Sequence, residues 1–236
     1  MSPRPIAREL ALVYAAAAAV TLFVSHTPGV LVAMYGHLLL AGAFLWLALH
    51  MARREGESAR RYGIDLAGLL EGDAALASTI VKALPTMLRE LGVALLVACV
   101  VFPPFVLAFW LWHQPPHPFT FHPPSDPLDF VLTHLIAIAL PEEALFRGYF
   151  QTRLSDLWPV RIRVLGAELN PRALVWQAGL FALLHFLVGF SPLRLAVFFP
   201  GLLFGWLRAR RDGIGAAVWF HAFCNLLAEV LSRGYL

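Results

Sequence analysis

Long uncharged apolar runs, separated by short clusters of arginine, dominate the pattern of this chain. Seven such runs predict helices over about 10–26, 29–50, 91–112, 128–151, 173–190, 193–207 and 214–232. The yardstick is the ~20 apolar residues needed to cross a ~30 Å hydrocarbon core. The sixth run is short, and its Gly201 and Gly205 predict close packing against a neighbour. Pro103-Pro104 predicts a kink or break in the third. Residues 75–90 differ: Leu76, Ile80, Leu84, Met87 and Leu91 recur at helical spacing, while Ser78, Lys82, Arg89 and Glu90 are polar. That pattern predicts an interfacial amphipathic helix. The expected fold is therefore all-α, a polytopic transmembrane helix bundle of about seven spans plus one interfacial helix. It forms a single membrane domain over 1–236, with an N-terminal hairpin and amphipathic helix in 1–90 and the main bundle in 91–236.

Composition agrees. With 59% hydrophobic and 14% charged residues and a mean hydropathy of +0.70, the chain carries more apolar surface than a soluble domain of this length can bury. Placing the N-terminus in the cytoplasm puts fifteen basic residues inside and only Arg194 and Arg233 outside, with Arg147 within a span. The positive-inside rule thus supports that orientation. It also explains the Arg208–Arg211 cluster as a topology anchor. The net charge of +3 lies in short loops, so it gives no reason to expect a nucleic-acid partner. Seventeen arginines against one lysine, with abundant Ala and Leu, point to a GC-rich bacterial genome and an inner-membrane location. Arg4 and Arg8 precede an apolar run as in a secretory signal, but no small-x-small site follows Val24, so an uncleaved first span is expected. Cys99 and Cys224 fall within apolar segments and read as buried, inert thiols. The prolines of loop 113–127 forbid the helix that would align His113, His117 and His122 on a metal.

Three of the later spans carry groups that lipid would not tolerate. Glu142, Glu143 and Arg147 lie on the fourth, His185 on the fifth, and His221 and Asn225 on the seventh. Each ionisable group at the bilayer centre costs roughly 2.5–3.5 kcal/mol on insertion scales. At 1.5 Å per residue, Glu142 lies about 9 Å from the inner edge of the core, His221 about 10 Å and His185 about 18 Å. Those depths predict a shared, water-filled cavity opening toward the arginine-bearing side.

Helical spacing separates the roles. Glu143 and Arg147 are one turn apart and can pair. Glu142 is rotated by ~100° from Glu143 and is left as the free carboxylate, suited to act as a general base. His185 is the natural partner for holding a water against it. His221 and Asn225, again one turn apart, offer two donors to the oxyanion of a tetrahedral intermediate. Together these describe peptide hydrolysis by activated water, without a covalent intermediate.

The order Glu142-Glu143-x-x-x-Arg147, Phe181-x-x-x-His185 and His221-x-x-x-Asn225 resembles the signature of the glutamate-type intramembrane proteases. These are grouped as the CAAX prenyl endopeptidases and bacteriocin-processing enzymes. Arg147-Gly-Tyr-Phe after the first motif and the Gly201…Gly205-Trp span before the third are similar too. The resemblance covers about residues 128–229; the N-terminal third is matched only in hydrophobicity. It implies that Glu142 and His185 activate water, that His221 and Asn225 form the oxyanion hole, and that Glu143 and Arg147 support them. It also implies an endopeptidase acting near the C-terminal or membrane-anchor region of membrane-associated proteins, with no cofactor. Bacterial members include the myxosortases, a subtype compatible with the small size of this chain.

Three other readings compete. Polar pairs also serve as interhelical glue, but at ~0.6 kcal/mol on average they recover little of the cost of burying five or more polar groups. A metal-dependent protease could use Glu142, Glu143, His185 and His221, although adjacent carboxylates diverge on a helix and no His-Glu-x-x-His is present. A non-catalytic, immunity-type protein would bind peptide without cutting it. No inverted repeat with paired broken helices points to a transporter. The expected partners are a membrane-protein or peptide substrate and the lipid bilayer. His37, His50 and His134 are expected at helix interfaces and membrane edges, without a role in the chemistry.

Overall fold

The computed structural model describes residues 3–54, 59–66 and 76–235, and it is almost entirely helical. Helix α1 (Pro3–His26) and α2 (Val30–Arg53) form an antiparallel hairpin. Helix α3 (Leu76–His113) packs along α9 (Gly215–Tyr235), and α7 (Pro171–Leu187) along α8 (Phe198–Arg211). By length and composition α1, α2, α3 and α9 can each cross a membrane, which makes this an integral membrane protein. The remaining expected spans are built from shorter pieces. Helix α7 has 17 residues and α8 has 14, the latter preceded by a 3₁₀ segment (Pro192–Val197).

Between α3 and α7 the chain runs as one helix through five segments. They are α4 (Pro127–Leu132), a first π segment (Thr133–Ala139), α5 (Leu140–Glu143), a second π segment (Ala144–Phe150) and α6 (Gln151–Leu157). The entry is conventional: Asp126 caps it by accepting the Asp129 N–H at 3.0 Å, and Pro127 follows at the first helical position. The wide π turns shift the faces that a regular helix would present, and such turns recur at functional sites. Every residue from Glu143 to Phe150 is buried. This helix is the centre of the bundle.

Two features depart from the expected elements. The amphipathic stretch 75–90 is not a separate helix; from Leu76 it is continuous with the following span, giving 38 residues or about 57 Å. Pro85, Pro103 and Pro104 lie within it without ending it. Only Gly92 marks the expected junction, and one glycine does not break a helix whose apolar pattern continues on both sides. The stretch 153–172, expected as a loop, contains an antiparallel hairpin of β1 (Ile162–Val164) and β2 (Ala167–Leu169). Its turn residues Leu165 and Gly166 have φ of 48° and 78°, as a two-residue hairpin requires. Trp206 of α8 donates to the Val164 carbonyl and holds the hairpin in place.

The end of the bundle bearing most of the arginines is closed by ion pairs. Arg61 pairs with Asp156, Arg211 with Glu90, and Arg153 with both Glu9 and Asp156. Neither thiol is as fully buried as expected: Cys224 is half-buried, and Cys99 is exposed in a groove between α3 and α9. The loop histidines do not converge. His117 and His122 bond the carbonyls of Pro118 and Arg233 respectively, while His113 packs against Phe109.

The close packing expected of Gly201 and Gly205 is present. A Cβ at Gly201 would come within 3.2 Å of Arg147 Nη2, and one at Gly205 within 2.5 Å of Leu174 Cδ1 and 2.6 Å of Gln177 Nε2. Gly205→Val should therefore lower stability by about 1–3 kcal/mol, the usual cost of overpacking. Thermal unfolding in detergent and accumulation in membranes read this directly. An unchanged midpoint would mean that α7 and α8 are not in this contact.

Candidate active site

Arg147 is fully buried, and four contacts fix it. Nη1 donates to Glu143 Oε1 at 2.8 Å, and Nη2 donates to the Gly201 carbonyl at 3.4 Å. The guanidinium lies 4.1 Å from the Phe181 ring centroid and 4.9 Å from that of Phe204. A desolvated cation between two aromatic rings is favourable where water is excluded. Gln177 shares the Gly201 carbonyl, and Gln151 donates to Gly205, so α6, α7 and α8 are joined around the same point.

Glu143 has a second partner that spacing alone did not reveal. Its Oε1 also accepts from His221 Nδ1 at 2.8 Å. One carboxylate oxygen thus orients both the arginine one turn away and an imidazole on α9. Stacking on Phe204 at 4.7 Å and 16° fixes the plane of that imidazole. With Nδ1 held by Glu143, the nitrogen that faces the site is Nε2.

Glu142 points the other way and stays free. Its Oε2 lies 3.7 Å from His221 Nε2 and 3.9 Å from His185 Nε2, beyond hydrogen-bond range of both. It has no hydrogen-bond partner among the described residues. The tautomer of His185 follows from its other nitrogen. Nδ1 is 3.0 Å from the Phe181 carbonyl, which can only accept, so Nδ1 carries the proton and Nε2 presents a lone pair. The phenylalanine of the Phe-x-x-x-His pattern therefore does two jobs: its ring covers Arg147 and its carbonyl sets the histidine.

Asn225 sits one turn beyond His221 on α9, half-buried and without a hydrogen bond among the described residues. The structure thus brings Glu142, His185 and His221 together, ties Glu143 and Arg147 behind them, and leaves Asn225 alongside. Among the described residues no group of three His, Cys, Asp or Glu side chains has the spacing to hold a metal ion.

A small cavity of about 100 Å³ reaches Glu142 and His185. It is lined also by Thr21 and His37, toward the ends of α1 and α2 that lie away from the arginine-bearing face. The expectation of a cavity opening on the arginine side is thus corrected. Depths counted along separate helices share no common plane here, because the π segments shorten the Glu142 helix and His185 lies at the far end of α7. His37 was also missed as a neighbour of the site. Its signal was available: it is the only imidazole or charged side chain of α2 before His50. The Thr21 hydroxyl donates to the Ala17 carbonyl, whereas His37 is exposed and makes no hydrogen bond among the described residues.

The two adjacent glutamates should respond differently to neutralisation. Glu143→Gln removes the counter-charge of a fully buried arginine and the acceptor of His221, and breaking such a pair typically costs about 3–5 kcal/mol. Glu142→Gln removes an unpartnered charge and should leave the unfolding midpoint unchanged or raised. Adding Arg147→Met to Glu143→Gln should restore accumulation without re-anchoring His221. Thermal unfolding of the purified variants checks all three. Equal losses for Glu142→Gln and Glu143→Gln would contradict the assignment.

Residues 124–227 match the family model described as Type II CAAX prenyl endopeptidase Rce1-like. The matched region contains all three polar motifs and covers less than half of the chain. No curated protein and no solved structure matches. The matched region and the packed motifs within it coincide, so this part of the chain is similar to the type II CAAX prenyl endopeptidases.

Proposed function

We propose that this protein is a glutamate-type intramembrane endopeptidase that hydrolyses a peptide bond near the C-terminal or membrane-anchor region of a membrane-associated substrate. The observation that carries this reading is the convergence of two imidazole nitrogens on the unpartnered Glu142 Oε2, at 3.7 and 3.9 Å. Contacts of this length between polar groups suit a shared water. A water held there gives one hydrogen to Glu142 and the other to the lone pair of His185 Nε2.

Glu142 then takes a proton as the water oxygen bonds to the scissile carbonyl carbon. The carbonyl oxygen becomes an oxyanion, for which His221 and Asn225 are the donors on the facing side. Because Nδ1 already donates to Glu143, His221 donates to that oxyanion from Nε2 as the imidazolium, which carries a proton on both nitrogens. Collapse of the intermediate breaks the C–N bond, and the proton on Glu142 passes to the departing amine. No covalent enzyme intermediate is needed, and neither is a metal. The arginine-bearing end is assigned to the cytoplasm of a bacterial inner membrane, and the opening at His37 is the substrate's route from the lipid to the site.

Glu142→Gln keeps the shape of the site and removes the base. Cleavage should fall by at least ~10²-fold, the usual scale for general-base catalysis. Comparing the C-terminal masses of membrane proteins in cells carrying wild type or Glu142→Gln identifies the substrate as the species that accumulates uncut. Cleavage of that substrate by purified protein should survive exhaustive chelation. Loss on chelation with recovery on adding one metal would establish the metal-dependent alternative. An unchanged set of C-termini would overturn the protease reading.

A further inference from the structure

A second groove lies between the N-terminal turns of α1 and the C-terminal turns of α2, separate from the cavity that reaches Glu142. It encloses about 600 Å³. Its walls are apolar along most of their length, with Leu12, Val13, Leu47 and Met51 among them. At one end stand Arg8, His50 and Arg54. This end belongs to the arginine-bearing face of the bundle.

Among the described residues, the charge of the groove is not balanced from within. Arg8 and Arg54 are exposed and form no ion pair among the described residues. The one acid in the lining, Glu9, is already engaged. It accepts from Tyr149 at 2.6 Å and from Arg153 at 3.0 and 3.1 Å. Trp46 stacks on His50 at 4.8 Å and 11°, yet is 60% exposed, and Leu12 opposite it is 62% exposed. An indole beside cations at the head of an apolar channel is the arrangement of a membrane interface. Basic pockets between helices at that level bind anionic headgroups.

We propose that this groove binds one anionic phospholipid of the surrounding bilayer. Its phosphate lies between Arg8 and Arg54 with His50 beside it, and one acyl chain runs along Leu12, Trp46 and Met51. The apolar length of the groove favours a lipid over a free phosphate, which would leave those walls uncovered. The site also has a route to the catalytic helix. Glu9, next to Arg8 in sequence, is bonded to Tyr149 and Arg153, which follow Arg147 on the same helix. A lipid that orders the first turns of α1 therefore steadies the helix that carries Glu142.

The test uses the full-length protein purified in detergent and titrated with phosphatidylglycerol, phosphatidylcholine or glycerol 3-phosphate. The readouts are the thermal midpoint and the bound lipid counted by native mass spectrometry. Phosphatidylglycerol should raise the midpoint and persist as one bound molecule, while phosphatidylcholine should do neither. Arg8→Gln should weaken phosphatidylglycerol binding about fivefold, and Arg8→Gln with Arg54→Gln about 25-fold, the scale of one interfacial arginine applied twice. If either change shifts the unliganded midpoint, Arg8→Lys and Arg54→Lys decide, because they keep the charge and should bind nearly as wild type. Equal stabilisation by phosphatidylcholine would overturn the proposal. So would the same response to glycerol 3-phosphate, or arginine variants that bind phosphatidylglycerol unchanged. None of these readouts depends on proteolysis, so they stand apart from the proposed activity.

Discussion

A single carboxylate oxygen, Glu143 Oε1, holds the centre of this bundle together. It accepts from Arg147 on its own helix and from His221 on α9, both at 2.8 Å and both buried. Neither cation nor carboxylate would survive there alone, because an unpaired charge in a dry interior is strongly destabilising. Together they also need the Phe181 and Phe204 rings that enclose the guanidinium, and the glycine-rich face of α8 that lets those rings approach. The position of α7, α8 and α9 around the central helix follows from that one cluster.

The free carboxylate is a consequence of the paired one. Because Glu143 takes both partners, its neighbour Glu142 is turned toward the two remaining imidazole nitrogens and is given no hydrogen-bond partner. The two phenylalanines that enclose Arg147 also order the site: the Phe204 ring sets the plane of His221 and the Phe181 carbonyl sets the tautomer of His185. Structural support and the proposed chemistry are therefore adjacent uses of the same residues.

Much of this was legible from spacing. Glu143 and Arg147 pair across one turn, Glu142 is the unpaired member, and Gly201 and Gly205 mark a close helix contact, as periodicity alone predicts. The parts that were not legible share a cause: they depend on contacts between helices or on departures from regular helical geometry. The π segments alter rise and facing along the Glu142 helix, so a count at a fixed rise misjudged where the cavity opens. The His221–Glu143 bond joins residues far apart in sequence and has no local signature. The hairpin within 153–172 depends on Trp206 of α8 holding it. His37 was visible as an imidazole within the apolar first half of α2, but only the packing of α2 against the central helix places it beside Glu142.

The central claim is that water, not a side chain, attacks the peptide bond. It is tested most directly by running a single turnover in water enriched in oxygen-18, with a strong amine nucleophile present. The account predicts one heavy oxygen in the new C-terminal carboxyl group, no amine adduct and no mass added to the protein at any time. A product carrying the amine, or a transient acyl adduct on the protein, would show that a side chain attacks first and would contradict the role given to Glu142 and His185.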